Sequence, residues 1–195
     1  MSETNRKGKL VVISGPSGAG KTSICNELLR RIPNARWSVS VTTRPPRGDE
    51  VDGQSYRFIS REQFQRMIER DELLEHAEYL GNLYGTPRRP VEEAIARGEI
   101  IILEIDVQGG AQIARRMPES IRVFVLPPTM ETLRARLEGR QTESEAIQRK
   151  RLAEADGEIA FAQTSGTYQY FITNDILEDS VKRVLDIIEQ EIRKT

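Results

Sequence analysis

Residues 14–23 read SGPSGAGKTS, and within them Gly15-x-x-x-x-Gly20-Lys21-Thr22 has the spacing of a loop that cradles nucleotide phosphates. Gly15, Gly18 and Gly20 carry no side chain, so the backbone can curl and aim several N–H groups inward. A helix starting after the loop sets its partial positive charge beneath the phosphates. Lys21 can reach the β- and γ-phosphates, and Thr22 can offer its hydroxyl to Mg²⁺. The run Gly15, Pro16, Ser17, Gly18, Ala19, Gly20, Lys21, Thr22 and Ser23 is therefore the expected seat of a nucleoside triphosphate, with Mg²⁺ as cofactor. Downstream, Arg44 and Arg47 flank the pair Pro45-Pro46, Tyr56 follows, and Tyr84 and Thr86 come after a Gly81-Asn82 turn. Two arginines and two tyrosines are hydrogen-bond donors suited to a second phosphate. Singly each reads as a solvated residue; together they suggest a clamp.

These groups need a scaffold. KLVVIS, Lys9 to Ser14, is an apolar β-branched run that stops at glycine, which predicts a buried strand before the loop. Thr22 to Arg31 has helical apolar spacing and ends near Pro33. Further buried strands are predicted at Glu99 to Asp106, Ile121 to Leu126 and, more weakly, Tyr168 to Asn174. Helical patterns separate them: Val91 to Arg97, about Gly110 to Met117, about Thr129 to Leu137, and a closing helix over Leu177 to Arg193. Strands alternating with helices predict an α/β fold with a parallel sheet flanked by helices. Two segments break the alternation. Residues 38–86 hold short alternating runs and one helix starting at Ser60, with Gln63 as its capping-box partner, and read as an inserted mixed α/β lobe. Gly139 to Phe161 is very polar and reads as a mobile helical flap.

The chain has 195 residues, 37% hydrophobic and 30% charged, which suits one soluble domain with sub-lobes and excludes a disordered chain. A net charge of −1 gives no field to draw nucleic acid or anionic membrane. One cysteine, Cys25, excludes an internal disulfide and points to a reducing compartment; it reads as a small buried apolar residue. The polar N-terminus and short apolar runs give no secretory signal and no membrane span, so the expected localisation is cytoplasmic.

Five blocks stand in one order: SGPSGAGKTS, SVSVTTRPPRGDEVDGQSYRF, LLEHAEYLGNLYGTP, LEIDVQG and RLEGRQTESEAIQRKRL. From Gly8 to about Ile192 the chain resembles the guanylate kinases, and bacterial members more than eukaryotic ones. The resemblance implies a P-loop kinase with a core of residues 1–37, 87–135 and 162–195, a GMP lobe at 38–86 and a lid at 136–161. It implies transfer of the γ-phosphoryl group of ATP to GMP or dGMP. The GMP phosphate would be held by Arg44, Arg47, Tyr56 and Tyr84, and the guanine by Ser40, Glu75, Thr86 and Asp106. A carboxylate at Glu75 accepts both the N1–H and the 2-amino group of guanine, which adenine cannot supply. Glu104 and Asp106, on one face of the same strand end, could act on Mg²⁺ through its waters. Lys21, Arg44 and the lid arginines Arg136, Arg140 and Arg151 would carry catalysis, and Asn174 would lie near the adenine. Gln141 departs from the glycine usual in the family. His76 reads as an edge or packing residue, and a homo-oligomer stays open.

Two other functions fit parts of this pattern. A small-molecule kinase of the same core, such as a ribose-bisphosphate kinase, would not need the guanine set. A non-catalytic peptide-binding module would not need Lys21 and Thr22.

Overall fold

Alternate residues of the run Lys9–Ser14 face opposite ways, and both faces find apolar cover, so the run becomes β1, buried along its length. The computed structural model describes residues 8–79, 81–138 and 145–194. After β1 come α1 (Lys21–Arg31), β2 (Ala35–Trp37), β3 (Val41–Thr42), β4 (Arg57–Phe58), α2 (Arg61–Glu69), β5 (Leu73–Tyr79) and β6 (Asn82–Pro87). Then follow α3 (Arg88–Ala96), β7 (Ile100–Glu104), α4 (Val107–Arg116), β8 (Ile121–Leu126), α5 (Met130–Glu138), α6 (Glu145–Thr164), β9 (Tyr170–Thr173) and α7 (Leu177–Arg193).

The main sheet has the order β2-β7-β1-β8-β9 with every pair parallel. On one face Val11, Ile13, Ile102, Val123 and Val125 pack against Ile24 and Leu28 of α1 and Val181, Val184 and Ile188 of α7. On the other, Leu10, Val12, Ile101 and Leu103 meet Val91 and Ala94 of α3 and Ile113 of α4. This is the parallel sheet flanked by helices that the alternation predicts. It points the carboxyl ends of β1 and β7 at one edge, where open α/β sheets bind ligands. No helix among the described residues is long and apolar enough to cross a membrane.

A second, mixed sheet has the order β4-β3-β6-β5 and is covered by α2, whose Phe64 packs on Val41 and Leu73. The capping box at Ser60 is present in both halves.

Some boundaries differ from expectation. β2 was not predicted: it is a three-residue edge strand with Arg36 and Trp37 exposed, so it lacks an apolar run. α3 starts at Arg88 rather than Val91, and α4 at Val107 rather than Gly110. The reason at α4 is Asp106, whose side chain caps the helix and starts it ahead of two glycines. The YRFIS run yields only the two residues of β4. α6 runs on to Thr164 and packs through Ala155 on Leu133 and Leu137 of α5. Arg140 and Gln141 lie outside the described residues.

Candidate active site

β1 ends at Ser14 and the chain turns through Gly15, Gly18 and Gly20 at φ of 147°, 88° and 91°. Side chains rarely adopt this region, and at Gly15 and Gly20 a Cβ would also collide with the Val125 carbonyl and the Asn174 amide. The Lys21 ammonium folds over the loop and donates to the carbonyl oxygens of Gly15 (2.7 Å) and Pro16 (3.0 Å). Thr22 Oγ1 donates to Glu104 Oε1 at 3.1 Å. Behind the loop, buried Asn174 donates through Nδ2 to the Ala19 carbonyl at 2.8 Å. Its Oδ1 is buried without a hydrogen-bond partner among the described residues. Arg136 of α5 donates to the carbonyl of Asn174 behind the loop (3.1 Å), and Arg151 of α6 donates to Ser17 Oγ of the loop itself (3.1 Å).

In front of the loop lies a cavity of about 760 Å³. Its walls include Gly15, Ser17, Lys21 and Thr22, the end of β7 with Glu104 and Asp106, and Ser40 and Tyr56 beside the second sheet. Arg151, Glu154 and Glu158 of α6 close one side, and Trp37 and Tyr79 also line it. Burial pushes the Glu158 carboxyl up to about 7; Asp106 and Glu154 add to the shift and Lys21 opposes it.

Arg44 is 6% exposed, and its guanidinium is gripped by Glu50 with Nη1–Oε2 2.6 Å and Nη2–Oε1 2.7 Å. It stands 5.0 Å from the centroid of Tyr56 and 5.6 Å from that of Phe58. Tyr84 meets Tyr56 edge-on at 6.1 Å. The hydrogen bonds from Arg44, and then the Arg47 backbone N–H, hold the Glu50 carboxyl down at about 2. Arg47 itself is exposed.

Glu75 owes its direction to an irregularity. Leu73 pairs with Pro87 and Glu75 with Thr86, so two β5 steps face one β6 step. Such a bulge re-aims a side chain. The Glu75 carboxyl is 5% exposed and accepts from Thr86 Oγ1 at 2.6 Å. Burial is the main cause that raises it to about 7; Asp106 adds to the rise, while the Thr86 bond opposes it. Asp106 Oδ1 accepts from the Gly109 N–H at 2.9 Å.

The family profile described as Guanylate kinase matches residues 7–191. The chain belongs to the guanylate kinase family. It is 47% identical over 189 residues to a guanylate kinase of Synechocystis sp., covering 97% of each chain. It is 49% identical over 185 residues to one of Carboxydothermus hydrogenoformans, covering 95% of this chain and 89% of that one. Among solved structures, the crystal structure of guanylate kinase from Anaplasma phagocytophilum is similar with a TM-score of 0.77 and 36% identity, over 97% of this chain and 89% of that chain.

The predicted guanylate kinase residues fall into two groups. Gly15, Ser17, Lys21, Thr22, Ser40, Tyr56, Glu104, Asp106 and Arg151 line that cavity. Among the described residues, Pro16, Gly18, Ala19, Gly20, Ser23, Arg44, Arg47, Glu75, Tyr84, Thr86, Arg136 and Asn174 are not on its lining. Of the polar ones, Arg44, Glu75, Thr86 and Asn174 are buried. Sequence reasoning missed Glu50, whose partner Arg44 is six residues away in a loop with no periodicity to link them. It also missed Trp37, Tyr79, Glu154 and Glu158, for which only position relative to the loop could have served as a signal. Cys25 is fully buried, and burial drives its thiol pKa up, so it is unreactive. The His76 ring packs edge-on to Phe64 at 6.5 Å.

Proposed function

We propose that this protein catalyses ATP + GMP ⇌ ADP + GDP, with dGMP as an alternative acceptor. The observation that carries this reading is the cavity in front of the loop, which brings Lys21 and Thr22 into the same space as Ser40, Tyr56 and Asp106. A donor phosphate at the loop and an acceptor phosphate beside Tyr56 and Arg44 would meet inside it. Residues 1–37, 87–135 and 162–195 serve as the core, 38–86 as the GMP lobe and 136–161 as the lid; the separate second sheet supports that division. The reducing cytoplasm suits a chain whose one thiol is buried.

In the transfer, the bond from the γ-phosphorus to the β,γ-bridging oxygen breaks as a bond from that phosphorus to a GMP phosphate oxygen forms. ADP carries away the bridging oxygen's electron pair. The acceptor is already an anion, so no side chain has to remove a proton. The work is alignment and neutralisation of charge on the equatorial oxygens. Lys21 and the loop amides hold the donor; Arg44, Arg47, Tyr56 and Tyr84 hold the acceptor; Arg136, Arg140 and Arg151 cover the transferring group. Ser40, Glu75, Thr86 and Asp106 read the guanine.

The donor set fits Mg²⁺. Thr22 and Glu104 present adjoining hard oxygens, and no cluster of three His, Cys, Asp or Glu residues that could hold a metal occurs among the described residues. That suits an ion which keeps its waters and leans on substrate phosphates. Thr22 would hold it directly, and Glu104 and Asp106 through water; when bound it neutralises charge between the β- and γ-phosphates.

The test is ADP release from ATP with GMP, dGMP, AMP, CMP, UMP and ribose 1,5-bisphosphate as acceptors. GMP and dGMP should dominate. Dominance of ribose 1,5-bisphosphate would move the chain to the related kinase reading, and no turnover with any acceptor would favour a binding module.

A further inference from the structure

Three positions on α4, residues 109, 112 and 116, share one helix face by their spacing, and each meets β5 beside the bulge. At Gly109 a Cβ would stand 2.7 Å from Glu75 Oε2 and 3.3 Å from Glu75 Cδ. One turn on, the Gln112 side chain binds the His76 backbone twice: Oε1 accepts from the N–H at 3.1 Å, and Nε2 donates to the carbonyl at 2.8 Å. Arg116 Nη1 donates to the Leu73 carbonyl at 2.9 Å. The backbone on both sides of Glu75 is thus tied to α4, and the carboxylate lies directly over Gly109. The same helix begins at Asp106, which caps it through the Gly109 N–H.

We propose that Gly109 and Gln112 are positioning residues for acceptor selection: Gly109 leaves the space in which the Glu75 carboxylate lies, and Gln112 fixes the strand that carries it. One helix thereby sets the spacing of Glu75 to Asp106 across the junction of the two sheets. The inference rests on the reading of Glu75 as the group that accepts from guanine.

The backbone conformation at Gly109 does not itself require glycine; only the space beside Glu75 does. Its φ is not positive and it sits inside a helix, where alanine is the better former. The atoms nearest to an added methyl group are Glu75 Oε2, Ile105 Cδ1 and Glu75 Cδ, all at the far ends of flexible side chains. A methyl group should therefore leave the fold intact and move the carboxylate, and a shift of about 0.5 Å is the tolerance of a productive site.

The experiment is a double-mutant cycle of Gly109→Ala with Glu75→Ala, reading kcat/KM for GMP and AMP, KM for ATP and the melting temperature. Gly109→Ala should lower kcat/KM for GMP about tenfold or more, mainly through KM, because the displaced carboxylate binds the acceptor base and not the transferring group. KM for ATP should stay within about twofold, and the GMP-to-AMP preference should shrink, since the donor site is untouched. In the Glu75→Ala background the same change should cost less than about twofold, because no carboxylate remains to displace. Equal losses in both backgrounds, or no loss in the parent, would overturn the positioning role while leaving Glu75 as base reader. If Glu75→Ala keeps the parent's GMP-to-AMP preference, the base-reading assignment falls, and this proposal with it. Gln112→Met, tested in the same cycle with the same expectations, decides the matter if Gly109→Ala does not fold.

Discussion

Both terminal nitrogens of Arg44 are taken up by the two carboxylate oxygens of Glu50, at 2.6 and 2.7 Å. A buried guanidinium assigned to the acceptor phosphate therefore already has an anion holding its plane. The pair fixes the direction in which the remaining N–H groups point, which is the preorganisation a phosphate site needs.

Glu50→Gln should then lower the melting temperature, because it leaves the Arg44 charge buried with a weaker partner. Saturating GMP should recover part of the loss, as the phosphate supplies the missing negative charge. The measurement is the melting temperature of both proteins with and without GMP. A variant as stable as the parent, with the same GMP-induced shift, would remove Glu50 from the clamp.

Glu75 gives a pH dependence with a defined sign. Its folded pKa is raised from the ordinary 4.5 to about 7. Between those values the native state keeps a proton that the unfolded chain releases. The corresponding stability is complete below pH 4.5 and is lost as pH rises through about 7. Glu75→Gln should therefore stabilise the ligand-free protein at pH 8 by roughly 1–3 kcal/mol, a rise of about 3–8 °C in Tm, and change it little near pH 4.5. The same variant should lose roughly 2–4 kcal/mol in kcat/KM for GMP, with AMP not falling in parallel. In the parent, GMP affinity should climb as pH passes about 7, and the variant should lack that climb. A stability gap between variant and parent that does not widen as pH rises across this window would contradict the assignment.

For the donor site, Lys21→Ala should cut kcat by about 100-fold or more while leaving GMP binding nearly unchanged. Chelating divalent metal should likewise stop turnover without releasing GMP. Both arms can be followed by ADP release and by equilibrium dialysis of GMP. Loss of GMP binding in the Lys21 variant would mean that the two sites are not separate.

Trp37 is the one tryptophan of the chain, is 37% exposed and lines the cavity. Its emission should change when GMP is titrated in, and the change should move to higher GMP concentration in Glu75→Ala. A flat titration in the parent at GMP concentrations that support turnover would place the acceptor away from this wall.

What the sequence disclosed follows burial and local chemistry. β1, β7 and β8 are sheathed on both faces, so they read as apolar runs, broken in β8 only by Arg122, and the glycine loop between β1 and α1 is defined by its own spacing. β2 escaped notice because an edge strand ending in Arg36 and Trp37 has no apolar period. The start of α4 was masked by Gly109 and Gly110, which weaken the helical pattern at the place where Glu75 and Tyr168 approach the backbone. The residue types of the proposed acceptor site were legible. Their arrangement was not: it depends on a bulge at Leu74, a loop ion pair and a helix tether, all of which join residues with no common period.

The central place of β1 has a consequence in time. Lys9 pairs with Ile100, and Val11 with Ile121, so both neighbours of β1 are made long after it. During synthesis at about 5–20 residues per second, that strand must wait about 5–20 s for its first partner. Its unpaired N–H and C=O edges and its apolar faces are open throughout, a template for other nascent chains. The second sheet has no such delay: β5 and β6 form a local hairpin, and β3 joins them within one short stretch of chain. The proposed acceptor lobe should therefore take shape on the ribosome before the sheet that holds the glycine loop. Overexpression should tax the N-terminal strand first, and slower translation or a chaperone that shields residues 9–14 should raise the soluble yield.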